Sequence, residues 1–194
     1  MNSNSIYLVL DMQNDLVNGS GPKGHSPLSS QVAHRGVVAK TANAIEKARA
    51  AGLRIGFVRV GFSADYRECP ETSPVFKAAK SNGIFQLGTW GTEIHTDLAP
   101  QAQDLLITKH RVSPFYGTNL EPILRANGIR RIYASGISTN GVVQAIVRDG
   151  HDRDYEVILL EDCCAALSPE EHTCSINGLS RYCSVTNSTD VEFK

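Results

Sequence analysis

Long apolar runs are missing from this chain. No stretch approaches the roughly 20 residues that a helix needs to cross a bilayer, and no helical pattern carries a basic face, so neither a membrane span nor a membrane-surface helix is expected. The first apolar run, Ile6 to Leu10, is too short for the core of a signal peptide, and no positive charge precedes it. An excess of basic residues is missing too. Lys and Arg number 19 against 20 Asp and Glu, a formal net charge of -1, which removes the electrostatic footprint of a nucleic-acid binder. Cysteine is scarce and unpatterned: the 5 residues are odd in number and form no CxxC pair. Reduced thiols in a cytoplasmic protein are therefore expected, not a disulfide framework. Internal repeats, low-complexity segments and domain linkers are absent as well, so residues 1–194 are expected to form one domain.

What is present is an alternation. Ile6–Leu10 is a continuous apolar run ending at Asp11, the pattern of a strand buried on both faces. Helical spacing follows from about Arg35 to Ala51 (Val38, Ala42, Ile45, Ala48) and stops at Gly52. Arg54–Val60 is a second strand, and Asp104–Thr108 a third that ends at Lys109. Thr118 to Asn127 is a helix, with Thr118 and Glu121 at capping-box spacing and Gly128 closing it. Arg131–Ser135 is a fourth strand, followed by the turn Gly136 to Val142 and a helix to about Arg153. Glu156–Glu161 is a fifth strand that ends at Asp162, Ser168–Arg181 a helix with Pro169 behind its cap, and Ser184–Thr186 a candidate sixth strand. Strands alternating with helices predict an α/β fold, a parallel sheet covered by helices on both faces. Gly61 to Pro100 is too long for a plain connection. It is expected to hold a short helix near Pro74–Lys80 and to form part of a substrate site.

In an open parallel sheet, ligands bind beyond the carboxyl ends of the strands. Asp11, Lys109 and the Gly136–Val142 turn all fall there. A carboxylate and an ammonium sharing a dry cleft bias each other's protonation, and the lysine can hold or polarise substrate. Thr139 is placed as an N-cap, and the N–H groups of Asn140, Gly141 and Val142 as donors to an anion or oxyanion. Each feature alone has an ordinary reading: a capping Asp, a solvated Lys, a tight βα turn.

Together these residues resemble the isochorismatase-like hydrolase family. Leu10-Asp-Met-Gln-Asn-Asp15 is similar to the family's opening, in which the Asp is catalytic. Gly88-Thr-Trp-Gly-Thr-Glu-Ile-His95 resembles its central loop, and Lys109-His-Arg-Val-Ser-Pro-Phe-Tyr-Gly-Thr118 the segment opened by the catalytic lysine. Gly136-Ile-Ser-Thr-Asn-Gly-Val-Val143 resembles the turn that carries the nucleophile, and Asp162 with Ser168-Pro-Glu-Glu-His172 the tail. The resemblance runs in order from about Ile6 to Val185. It implies a three-layer, doubly wound, Rossmann-like domain around a six-stranded, mostly parallel sheet. It also implies hydrolysis of a small molecule, a homo-oligomer (dimer or tetramer), and a cis peptide at Ile137–Ser138.

The chain departs from the family at one position. Amide-cleaving relatives place a cysteine where this sequence has Val142, and valine cannot form a thioester. Cys163 and Cys164 are expected to be packing thiols. The paired histidines of metal-binding relatives are missing too: His25, His34, His95, His110, His151 and His172 are scattered, so no metal or other cofactor is expected. Isochorismatases also lack the cysteine and cleave a vinyl ether without a covalent intermediate. That implies Asp11 as a proton donor held neutral by an apolar site, with Lys109 orienting a small anionic substrate. In that family the cysteine position holds a glycine, and a tyrosine stands where this chain has Ser138. Ser138, Thr139, Asn140 and Gly141 are counted as substrate-binding through the turn. Gln13, Trp90 and Phe115 are candidate pocket residues. Their competing roles are a backbone-bonded loop residue for Gln13, a loop anchor or subunit contact for Trp90, and core packing for Phe115. Arg59 and Arg67 are weighed as carboxylate partners against solvated surface roles. Two alternatives stay open: a catalytically silent binding protein, and an amidase with a different nucleophile.

Overall fold

The computed structural model describes residues 4–20 and 24–194. Six strands, β1 (Ser5–Leu10), β2 (Arg54–Val60), β3 (Leu105–Lys109), β4 (Arg131–Ile137), β5 (Glu156–Ala165) and β6 (Ser184–Thr186), form one sheet in the order β3-β2-β1-β4-β5-β6. Every pairing is parallel. The helices are α1 (Asn14–Val17), α2 (Pro27–Arg35), α3 (Val37–Ala50), α4 (Pro74–Ser81), α5 (Leu120–Ala126), α6 (Gln144–His151) and α7 (Pro169–Leu179). Among the described residues no helix is long and apolar enough to cross a membrane.

Central position explains β1's composition. It lies between β2 and β4, and each of its residues is buried. Alternate side chains serve opposite layers. Ile6, Leu8 and Leu10 pack with Leu120, Leu124, Ile146, Val147 and Leu179, from α5, α6 and α7. Tyr7 and Val9 pack with Val32, Ala44, Ile45 and Ala48, from α2 and α3. The result is the three-layer α/β architecture. The strand order runs outward both ways from the β1–β4 pair, so the switch point of the sheet lies between the ends of these two strands.

The stretch between β2 and β3 builds a small core of its own. Phe62, Tyr66, Phe76, Ala79 and Phe85 cluster beside Val60, so α4 is fixed against the carboxyl end of β2. The expected short helix is there, over Pro74–Ser81.

Several local expectations are corrected. The helical pattern expected from about Arg35 to Ala51 is α3, and it starts at Val37 because Gly36, at φ 64°, separates it from a preceding helix, α2. α2 was not anticipated. Its signal was Ser26, whose hydroxyl accepts from the Ser29 N–H in a capping box, with Pro27 in the first turn. The expected capping box at Thr118 and Glu121 is not formed. Thr118 Oγ1 accepts from the Leu120 N–H and donates to the Pro114 carbonyl, so α5 starts at Leu120. β5 continues past Glu161 to Ala165, with a register shift against β4 between Ala134 and Gly136. Asp162 therefore lies inside the strand, where its carboxylate accepts from the N–H and hydroxyl of Ser188.

Candidate active site

Asp11 is the first residue beyond β1. Its backbone takes φ 55°, a region that Asp tolerates better than most side chains, and its N–H still donates to the Val58 carbonyl at 2.8 Å. This turns the carboxylate across the strand ends. Lys109, the last residue of β3, is 2 % exposed and reaches back over β2. Its Nζ lies 2.9 Å from Asp11 Oδ2 and donates to the Arg111 carbonyl at 3.0 Å. Asp11 Oδ1 is buried and has no hydrogen-bond partner. Burial pushes the Asp11 carboxyl above the usual carboxylate range, and the Lys109 ammonium opposes that rise without reversing it.

The pair lines a cavity of about 130 Å³ together with Ser138, Gly141, Val142 and an apolar set that includes Val60, Phe76, Phe85 and Ile137. At roughly 30 Å³ per water, that is room for about four waters or a comparably small ligand group. A larger depression of about 480 Å³ lies at the amino-terminal ends of β2 and β3. Arg49 and Asp104 there are paired with each other, and the other charged residue in its lining is Arg54; the buried carboxylate–ammonium pair lies in the smaller cavity.

The turn after β4 reaches this cavity because β4 closes tightly on β1. A Cβ at Gly136 would sit 2.3 Å from the Leu10 carbonyl oxygen and 2.5 Å from Leu10 Cβ, so only glycine fits. The peptide Ile137–Ser138 is cis, as the resemblance implied. A turn of π-helical form, Thr139–Val143, then leads into α6. Gly141 and Val143 donate their N–H groups to the Ser138 carbonyl at 3.1 and 3.3 Å, so the Gly141 donor is spent inside the turn and is not directed at a ligand.

Of the residues singled out from the sequence, the structure brings together Asp11, Lys109, Ser138, Gly141 and Val142. Others do not line the cavity. Gln13 is fully buried, and its amide pairs with both backbone groups of Val60, at 3.0 Å to the carbonyl and 2.8 Å from the N–H. It extends the sheet's pairing between the ends of β1 and β2. Trp90 is 41 % exposed, and its carbonyl accepts from Asn14 Nδ2 at 2.9 Å. Phe115 lies in the core beneath α5 and α6, stacked on Tyr155. Thr139 is not the N-cap; its hydroxyl bonds His172, and Ser138 holds the cap position without a side-chain bond. Asn140 is exposed and bonds Glu171. Arg59 is held by Thr108 and Thr92, and Arg67 by Asp65. Sequence reasoning missed Val75, Phe76, Phe85 and Val112 as walls. The unusual length of the Gly61–Pro100 stretch pointed to the segment that holds the first three.

None of the five cysteines lines the cavity. Burial pushes the Cys163 thiol up to about 12 and the Cys164 thiol well above the ordinary range, so both are inert packing groups.

A doubly wound α/β domain with a buried carboxylate–ammonium pair beyond the carboxyl ends of its strands has that pair where open-sheet proteins place their ligand sites. Residues 5–190 match the isochorismatase domain, and the chain belongs to that family of hydrolases. It is 32 % identical over 182 residues to ureidoacrylate amidohydrolase RutB of Agrobacterium fabrum, covering 87 % of this chain and 78 % of that protein. An isochorismatase family protein from Desulfovibrio vulgaris superposes with a TM-score of 0.84 at 26 % identity, covering 96 % of this chain and 95 % of that one. N-carbamoylsarcosine amidase from Thermoplasma acidophilum gives a TM-score of 0.75 at 28 % identity, covering 97 % of this chain and 98 % of that one.

Proposed function

We propose that this protein hydrolyses a small molecule with water as the nucleophile, Asp11 as the proton-transferring group and Lys109 as the charge that orients substrate. One observation carries the reading: the buried Asp11–Lys109 pair faces a mostly apolar cavity with Asp11 Oδ1 left without a partner. A carboxylate in that setting is biased toward its neutral, proton-donating form. Val142 fills the wall where amide-cleaving relatives carry a thiol, so no acyl-enzyme forms there.

Vinyl-ether hydrolysis of the isochorismate type suits such a site. Asp11 gives its proton to the terminal carbon of the enol ether, and water adds to the resulting oxocarbenium carbon. The hemiketal then collapses to pyruvate and the ring alcohol, and Asp11 recovers a proton from the added water. A second reading is favoured by the amidohydrolase and amidase names of the relatives: direct attack of water on an ureido or carbamoyl carbon, with Asp11 as base. Purified protein is offered isochorismate and a panel of ureido and carbamoyl compounds, with pyruvate and ammonia as readouts and Asp11→Asn as the paired control. Release that disappears in the variant supports the hydrolase and selects the substrate class. No release from folded protein overturns it and leaves a binding role. The homo-oligomer that the family resemblance implies remains part of this proposal.

A further inference from the structure

The turn that carries Ser138 and Val142 into the cavity is gripped from behind by α7. Thr139 is fully buried, and its Oγ1 lies 2.8 Å from His172 Nδ1. His172 Nε2 lies 2.9 Å from Glu161 Oε2. Glu161 sits where β5 departs from its register with β4, and its carboxylate accepts from the Arg35 guanidinium at 2.9 Å. Arg35 is itself fixed by its Nε, which donates to the Cys164 carbonyl at 2.9 Å. Two flanking bonds run the same way: Asn140 Nδ2 to Glu171 Oε2 at 3.0 Å, and Gln144 Nε2 to Ser175 Oγ at 3.2 Å. Residues 171, 172 and 175 share one face of α7. The turn is therefore bonded through side chains at its start, and again where α6 begins.

Proton placement follows from donor and acceptor chemistry. A carboxylate only accepts, so Glu161 fixes the imidazole proton on Nε2 and leaves Nδ1 to accept from the Thr139 hydroxyl. The charged groups facing His172 are Glu161 on β5 and Arg35 on α2; Glu171, its neighbour on α7, is engaged with Asn140. Hydroxyl, imidazole and carboxylate in a row is the arrangement that activates serine nucleophiles. Here the Thr139 side chain is sealed off from the cavity, so the row holds backbone and does not attack substrate.

We propose that His172 is a positioning residue that acts through Thr139, holding the Ser138–Val143 turn so that Ser138 and Val142 face the Asp11–Lys109 pair. The role of that turn in turnover rests on the hydrolase reading; the holding of the turn does not. Thr139→Val removes the hydroxyl at nearly constant volume, and Thr139→Ser keeps it. The amides of Gly141 and Val143, both bonded to the Ser138 carbonyl, report the turn by hydrogen exchange. Their exchange is expected to quicken roughly fivefold to tenfold in Thr139→Val, the worth of one hydrogen bond, and to return in Thr139→Ser. His172→Gln is the second variant and is expected to quicken the same two amides. Nitrogen NMR of the parent is expected to place the His172 proton on Nε2. On a substrate that is turned over, kcat falls in Thr139→Val with KM little changed, and Thr139→Ser restores it. Unchanged exchange at Gly141 and Val143 in both Thr139→Val and His172→Gln, or an Nδ1–H tautomer, overturns the proposal. Exchange that responds in a protein with no detectable turnover supports the holding of the turn and counts against the hydrolase reading alone.

Discussion

Asp11 Oδ2 and Lys109 Nζ lie 2.9 Å apart with both side chains buried, although they come from strands that do not touch each other. β2 lies between β1 and β3, and the lysine spans it. The ammonium also bonds the Arg111 carbonyl, so it is held at two points and the carboxylate at one. Asp11 Oδ1 is therefore left without a hydrogen-bond partner.

Breaking this pair from one side is expected to be costly. Lys109→Met leaves a buried carboxylate with neither oxygen bonded, and a loss of about 3–5 kcal/mol is expected in urea unfolding at neutral pH. Adding Asp11→Asn to Lys109→Met removes the stranded charge, and Asn suits the positive φ at that position. The double variant should recover most of the loss. If the two losses simply add, the pair is not the coupled unit that its geometry describes.

Asp11 also imposes a pH dependence on stability. Its folded carboxyl is raised above the ordinary value of 3.8, chiefly by burial. The native state therefore binds the proton more tightly than the unfolded chain does. Its contribution is fully present below 3.8 and is lost as pH rises through the raised folded value. Unfolding free energies of the parent, taken relative to Asp11→Asn, should fall with rising pH across that window. A flat difference would show that burial is compensated. In the acid role, turnover falls over the same rise in pH.

Gly136→Ala is expected to lose about 3 kcal/mol or more, because the new methyl meets the Leu10 carbonyl and neither strand can give way. Thermal unfolding measures this. A variant of parental stability would mean that β1 and β4 close less tightly than described.

Val142→Cys places a thiol on the wall of the cavity shared with Asp11 and Lys109. Amide hydrolysis by way of an acyl-enzyme, visible by mass spectrometry and abolished by alkylation, is the expected gain, at a cost near 1 kcal/mol from the smaller side chain. The parent should be indifferent to alkylation, since none of its thiols reaches the cavity. Loss of parental activity on alkylation without unfolding would instead favour an amidase that uses one of its own cysteines.

Much of the fold was legible because local pattern encodes local structure. β2 occupies Arg54–Val60 as its apolar pattern predicts, and the candidate sixth strand is formed over Ser184–Thr186. β1 starts one residue early, at Ser5. Asp11 and Lys109 stood out because a charged residue ending an apolar run must fall at a strand's edge. α2 was hidden because its cap is a pair of serines and its apolar positions are few. The extension of β5 was hidden because Glu161 and Asp162 read as a strand end, when both are bonded to distant partners, Arg35 and His172 for one and Ser188 for the other.

By itself, then, the sequence determined the alternation of strands and helices, the charged residues at strand ends, and the absence of a thiol at position 142. Periodicity and residue type act over a few neighbours, and that was enough. Only the tertiary structure decided which of these meet: the strand order that brings β3 within a lysine's reach of β1, the amide of Gln13 spent on Val60, and the His172 side chain behind the turn. Those contacts join residues far apart in the chain. They are set by how the strands are ordered and which faces the helices cover, and no local pattern carries that information.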